Sequence, residues 1–399
     1  MTRKLSQILP FQCRLSGLWL DECADCIRHY GSYIKMMGFP VEPTPRDYSL
    51  VGRDSALAEQ NGLAAAEWYS VRIDRKVLKG LMRRSDGPAI RDTLIWLAAL
   101  LGSATGAVYF WGSWWSVPFF LIYGVLYGSS SDSRWHESGH GTAFKTRWMN
   151  NALYYLASFM ILREPTIWLW SHTRHHTDTI IVGRDPEIAA PRPPDIRTLL
   201  LNIFALASTW KTLRSLVLHA SGRLTPDEAS FVPQTERPKV YLIARIYLAI
   251  LFAVALVCVI TESILPAMLI GLPTIYGGFM AIYFGLTQHA GLAEDVLDHR
   301  LNSRTIYMNP LFRFLYWNMN YHIEHHMFPM VPYHALPRLH EIIKHDCPKP
   351  YPSSIAAYRE IIPTLLRQVR EPAYFVARQL PMGLDPVPHN HGAVFRPAE

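Results

Sequence analysis

Cysteine is scarce in this chain: Cys13, Cys23, Cys26, Cys258 and Cys347 are the only five among 399 residues. Five scattered thiols make neither a disulfide framework nor the repeated spacing that holds an iron–sulfur cluster. Cys23 and Cys26, followed by His29, would make half of a zinc site, but a closed site needs four ligands and only Cys13 lies nearby. Ordinary reduced cysteines are the simpler reading. No G-x-G-x-x-G run opens a nucleotide-binding fold, and nothing marks a fused haem domain. Residues 1–20 lack a long apolar core and a small-residue cleavage site, so no secretory signal is expected. The net charge of +7 is modest and the basic residues flank apolar runs, which discounts nucleic acid as a partner.

Charge is absent altogether between Asp92 and Asp132. A crossing of a membrane takes about 20 apolar residues. The stretch therefore holds two, 93–111 and 117–131, about a break at Gly112–Pro118 where Trp114 and Trp115 suit an interface. The second crossing is short, and its helix is expected to run on toward His136. Val240–Ile260, apolar apart from Arg245, and Ile264–Thr287, without charge, read as a second hairpin turning at Glu262 and Ser263. Asn150–Leu162 is too short to cross. Residues 198–219, interrupted by Lys211 and Arg214, are assigned to the interface, because a crossing there would strand the histidines that follow on the opposite side. From Ala64 to Arg84, Trp68, Tyr69, Val77, Leu78, Leu81 and Met82 alternate with Arg72, Arg75, Lys76, Lys79, Arg83 and Arg84. That pattern predicts a basic amphipathic helix on an anionic membrane surface; the bland alternative packs it on its own domain.

Each hairpin returns the chain to the side it left. That side carries Arg83, Arg84, Arg91, Arg134, Lys145, Arg147 and Arg174, the opposite turns carry no Lys or Arg, and the shared side is expected to be cytoplasmic. The predicted fold is all-α and membrane-integral, with four transmembrane helices in two hairpins and a cytoplasmic helical cap. Residues 1–91 form a cytoplasmic region with the basic surface helix, 92–337 the membrane domain, and 338–399 a cytoplasmic helical region ending in a tail from about Pro381.

What the chain does have is patterned histidine. His136-Glu137-Ser138-Gly139-His140 is followed by His172-Thr173-Arg174-His175-His176 and by His322-Ile323-Glu324-His325-His326, with His289 alone before the last group. Helix residues three and four apart share a face, so each group projects its imidazoles together. Neutral imidazoles in that arrangement suit transition metal ions. Nine donors exceed what one ion uses, so two ions are the natural reading. The bland reading is accident, yet an H-x-x-H-H pattern arises by chance on the order of 0.03 times in a chain this long. Two copies together with the H-x3-H pair weigh against accident. Ligating histidines usually donate their second N–H to a carboxylate or carbonyl. Glu137, Glu324, Asp132, Asp178, Asp185, Glu187, Glu294 and Asp298 lie near the groups, with Glu137 and Glu324 best placed by sequence; each has a solvated surface charge as its plainer reading. His299, His334, His340 and His345 lack the spacing and are read as surface or supporting histidines.

The order H-x3-H, H-x2-H-H, H-x2-H-H between hydrophobic hairpins resembles the membrane fatty acid desaturase superfamily, over roughly Asp92 to Pro337. The resemblance implies a non-haem diiron centre that uses O2 to attack an unactivated C–H bond. Carried over group by group, it implies His136, His140, His172, His175, His176, His322, His325 and His326 as ligands, with His289 as the further ligand after the last span. The family often has a metal-linked Asn four residues before that histidine; here the position is Gly285. Two electrons must come from a separate carrier of ferredoxin, rubredoxin or cytochrome b5 type with its reductase, for which the basic surface suits an acidic partner. The expected reaction is desaturation of an acyl chain. The same scaffold also serves hydroxylation or oxidative demethylation, including of small polar substrates. From a different class, a metal transporter would place polar ligands within the spans; here the histidines lie beyond their ends.

Overall fold

The computed structural model describes residues 45–381. Cys13, Cys23, Cys26 and His29 lie outside them, as does the expected tail from residue 382. Among the described residues there is no β-strand, only isolated bridges pairing Thr305 with Tyr321 and Ile306 with Tyr351.

The first charge-free stretch folds as a helical hairpin. Helix α1, Asp86–Tyr109, runs to a turn that presents Trp114 and Trp115 at the surface. The chain then returns through α2, Ser116–Gly124, a π-helical segment Val125–Ser129, and α3, Ser130–Gly139, without interruption. The helix does run on to the first histidines. The π turn leaves carbonyls free to bond sideways, and Trp96 of α1 donates its indole N–H to the Leu126 carbonyl at 3.0 Å.

Helices α4, Arg147–Met160, and α5, Pro165–Thr177, follow. The ambiguous segment after them breaks at Ala205, whose φ is 50°, and continues as α6, Leu206–Ala220. Its 15 residues are too few for a straight crossing. It packs against α7, Arg237–Ile260, an unbroken helix of 24 residues. The expected partner of α7 is not one helix. It divides into Leu265–Leu269, Pro273–Tyr276 and α8, Phe279–His289. Gly271 with φ 93° makes the first break and Gly277–Gly278 the second. The cause is close packing on α2: a Cβ on Gly277 would lie 1.9 Å from the carbonyl carbon of Gly124. Small residues four apart, Gly124 and Gly128, open that contact.

Among the described residues two helical stretches, Arg75–Tyr109 (interrupted before α1) and α7, are long and apolar enough to cross a membrane. Leu94 and Leu101 on α1, and Phe252, Val259 and Ile260 on α7, lie at the surface. Apolar surface of this extent is what a membrane protein presents.

The expected helix over 64–84 is realised only at Arg75–Leu81, capped by the Asp74 carboxylate. Residues 66–74 run extended instead. Tyr69, Val71 and Ile73 point inward while Ser70, Arg72 and Asp74 point outward, a period of two that outweighs the helical pattern read from the charges. Val71 is buried and its N–H meets the Met327 sulfur at 3.4 Å. This strap closes over the third histidine group.

That group sits on α9, His322–Met327, followed by α10, Leu336–Ile343, and α11, Ser354–Arg370. Trp96, Tyr127, Phe284, Trp317, Ile323 and Leu336 form one core that joins α1, the π segment and α8 to α9 and α10. Tyr358 of α11 stacks on Tyr283 of α8 at 4.9 Å. Helices α1 and α8 therefore share their packing with α9, α10 and α11, which holds the histidine helices at fixed spacing.

Candidate metal centre

All nine histidines expected as ligands converge. They do so in two sets that cut across the sequence groups: His136, His140, His172, His176 and His325 in one, His175, His289, His322 and His326 in the other, with one ligand atom of each residue within 4.8 Å of the rest of its set. Helix geometry explains the cut. At about 100° per residue, position i+4 lies about 40° from i on one flank, and i+3 about 60° on the other. On α5 the i and i+4 members, His172 and His176, face one set while His175 faces the other. On α9 His322 and His326 stay together while His325 crosses. Two facing helices thus exchange one histidine each, and neither H-x-x-H-H run falls within a single set.

The nitrogens lie where metal ligands stand. In the five-membered set Nε2–Nε2 distances are 2.7 Å for His136–His325, 3.1 Å for His140–His172 and His172–His176, and 3.2 Å for His176–His325. In the four-membered set His289–His322 is 2.9 Å and His322–His326 is 3.0 Å. Two imidazoles at adjacent positions, each about 2.1 Å from one ion, stand roughly 3.0 Å apart.

The tautomers point the same way. His172 Nδ1 donates to Glu187 at 2.9 Å, His175 Nδ1 to Asp185 at 2.8 Å, and His289 Nδ1 to the Asn302 carbonyl at 2.8 Å. With the proton on Nδ1, each Nε2 presents a lone pair inward. Burial, and then the neighbouring histidines, hold His136, His140, His176, His322, His325 and His326 well below the usual imidazole range. Neutral imidazoles gathered in a set of five and a set of four, with the Nδ1–H groups of His172, His175 and His289 engaged behind them, are the donor set that transition metals take, so the residues fit a pair of metal ions.

The carboxylates expected behind the ligands divide. Glu137 is buried, with Oε1 unpartnered and 3.9 Å from the equally unpartnered Nδ1 of His325. Burial pushes its carboxyl up to about 7. Glu324 turns away, accepting from His340 Nδ1 at 2.5 Å and from the Thr305 hydroxyl at 2.6 Å. Asp132 pairs with Arg163, and Asp178 with Arg184 at 2.9 Å. Asp185 and Glu187 stand behind His175 and His172 instead. Burial alone would raise Glu187, but His172 and His175 outweigh it and hold the carboxyl at about 2. Nothing in their spacing marked them above their neighbours; the polar loop after α5 had to be seen folding back. Thr179, 3.2 Å from His326 Nδ1, went unnoticed in the sequence because a lone threonine carries no signal.

Of the remaining histidines, His340 belongs to Glu324 and Tyr307, while His299 is buried 5.1 Å from the ring of His326. A Cβ on Gly285 would meet nothing within 4 Å. Gly285 lines a cavity that opens on His175 and His289 and is walled by Glu187, Arg192, Gln288 and Glu294 together with apolar groups such as Ile180 and Leu292.

No curated protein matches the chain. A family model described as fatty acid desaturase matches residues 112–358, more than half of the chain and a span that contains all nine histidines.

Proposed function

Because the chain belongs to the fatty acid desaturase family and is an oxidoreductase of that kind, we propose that it uses O2 and two iron ions to introduce a double bond into a fatty acyl chain. The observation that carries this reading is the five-and-four partition of nine imidazoles. His136, His140, His172, His176 and His325 would hold one iron, and His175, His289, His322 and His326 the other. When bound, the pair supplies the redox chemistry that O2 and an unactivated C–H bond require and that no side chain provides. The chain's own residues aim the donors and keep water out. Asp185 and Glu187 fix the imidazoles of His175 and His172, and the buried walls of α3, α5 and α9 exclude solvent. Overall, one substrate, one O2, two electrons and two protons give one alkene and two waters.

The electrons come from a separate carrier of ferredoxin, rubredoxin or cytochrome b5 type with its reductase. The topology we propose has two transmembrane hairpins, with residues 1–91, both ends of the membrane domain 92–337 and the region 338–399 on the cytoplasmic side. The basic residues flanking α1 and α3 support that orientation. Purified protein should contain two irons, and lipids of an expression host should gain a double bond that a His325→Ala variant does not form. Full activity after iron is stripped would end this reading.

A second reading is oxygen insertion, as hydroxylation or oxidative demethylation, into a small polar molecule. One observation favours it: the cavity beside His175 and His289 carries two carboxylates, an arginine and an amide, where an acyl chain needs an apolar wall. Isotopically labelled O2 separates the two, since label retained in the organic product requires insertion.

A further inference from the structure

Trp68 lies half-buried on the extended strap and stacks flat on His299, ring centroids 4.2 Å apart and planes 4° from parallel. His299 is itself buried and stands 5.1 Å from the ring of His326, which stacks on His176 at 4.4 Å. One file of rings therefore leads from the surface to a donor of each histidine set. A second connection runs beside it, because the Trp68 indole N–H donates to the Thr177 carbonyl, next in the chain to His176, at 3.0 Å. His299 belongs to neither set. Along the same strap and the helix after it, Arg72, Arg75, Lys76 and Lys79 are exposed, while the Asp74 carboxylate is occupied by the N–H groups of Lys76 and Val77.

We propose that Trp68 and His299 form the entry route for electrons, delivered one at a time by an acidic one-electron carrier docked over the strap. The inference rests on the metal-site reading above. Tunnelling falls exponentially with the gap between donor and acceptor, and π systems in van der Waals contact shorten that gap. Another file of rings, Tyr155, Tyr154 and Trp135, reaches His172 from elsewhere on the surface, but the Trp68 file is the one that lies beside the exposed basic residues of the strap. The exposed basic residues steer an acidic carrier to the same place. Each passage oxidises the carrier by one electron and reduces the metal pair by one. Two passages supply the two electrons of the overall reaction, whose protons come from solvent.

The test is stopped-flow reduction of the iron-loaded, full-length protein in detergent, with a reduced plant-type two-iron ferredoxin as the probe and dithionite as the control. Trp68→Leu is expected to keep its iron and its dithionite rate but to be reduced by ferredoxin at least an order of magnitude more slowly. Trp68→Phe should recover most of the rate. Exchanging Arg75 and Lys76 for Glu should slow the reaction at low salt and flatten its salt dependence. Ferredoxin that reduces the wild type no faster than Trp68→Leu overturns the proposal. So does loss of iron from Trp68→Leu, which would make the stack structural. Wild-type protein that binds no iron would instead defeat the metal-site reading itself.

Discussion

The two histidine sets are drawn from facing helices yet differ in what stands behind them. In the five-membered set, only His172 is backed by a carboxylate within hydrogen-bonding distance; His176 and His325 keep a buried, unpartnered Nδ1. In the four-membered set, Asp185, the Asn302 carbonyl and Thr179 back His175, His289 and His326, and only His322 Nδ1 is bare. The set with fewer donors has the more firmly aimed ones. It is also the set on the cavity, which two of its members, His175 and His289, line. An ion held by four nitrogens keeps more open positions than one held by five, so the side facing the cavity is where substrate or oxygen would be met.

The sharpest way to break this comparison is His325→Ala, which removes a donor that α9 lends to the five-membered set. Iron should be lost from that set and turnover should fall to background; elemental analysis that still finds both irons would refute the partition. Asp185→Asn and Glu187→Gln should each cost about 10- to 100-fold in metal affinity or activity. Asp185 should perturb the four-membered set and Glu187 the five-membered one, so Mössbauer spectra of the two variants should change at different iron sites. Identical spectra would erase the distinction. Gly285→Leu grows into open space beside His289. It should raise KM by about tenfold, on the scale of a pocket altered by a few methylenes, with iron content unchanged; an unaltered KM would show that substrate does not pass there. The smallest effect on the metal is expected from Glu324→Gln, whose carboxylate serves His340 and Thr305. Thermal unfolding should register a loss of about 1–3 kcal/mol while the iron spectra stay those of wild type.

Much of the site was legible before the fold. The spacings of His136/His140 and of the two H-x-x-H-H runs named eight of the nine residues that meet, and the resemblance they carry, which agrees with the family model, added His289. The charge gap from Asp92 to Asp132 located the first helical hairpin, and the run-on of its second helix into His136 followed from the shortness of the apolar stretch before it. Other features were beyond reach. Glu324 sits inside a histidine run, yet its rotation on α9 sends it to His340, while Asp185 and Glu187 arrive from a loop. The strap 66–74 reads as helical by its charges and is extended because Tyr69, Val71 and Ile73 find a surface to cover. The segment 264–289 is apolar enough for one helix but is broken where Gly277 meets Gly124.

By itself the sequence determined which histidines belong together and on which helical faces they start, because helix periodicity is local and imidazole donors are chemically unmistakable. Only the tertiary structure decided how those faces pair. His175 and His325 change sides because α5 and α9 confront each other across a shared core, and contact between elements distant in the chain is set by packing rather than by spacing.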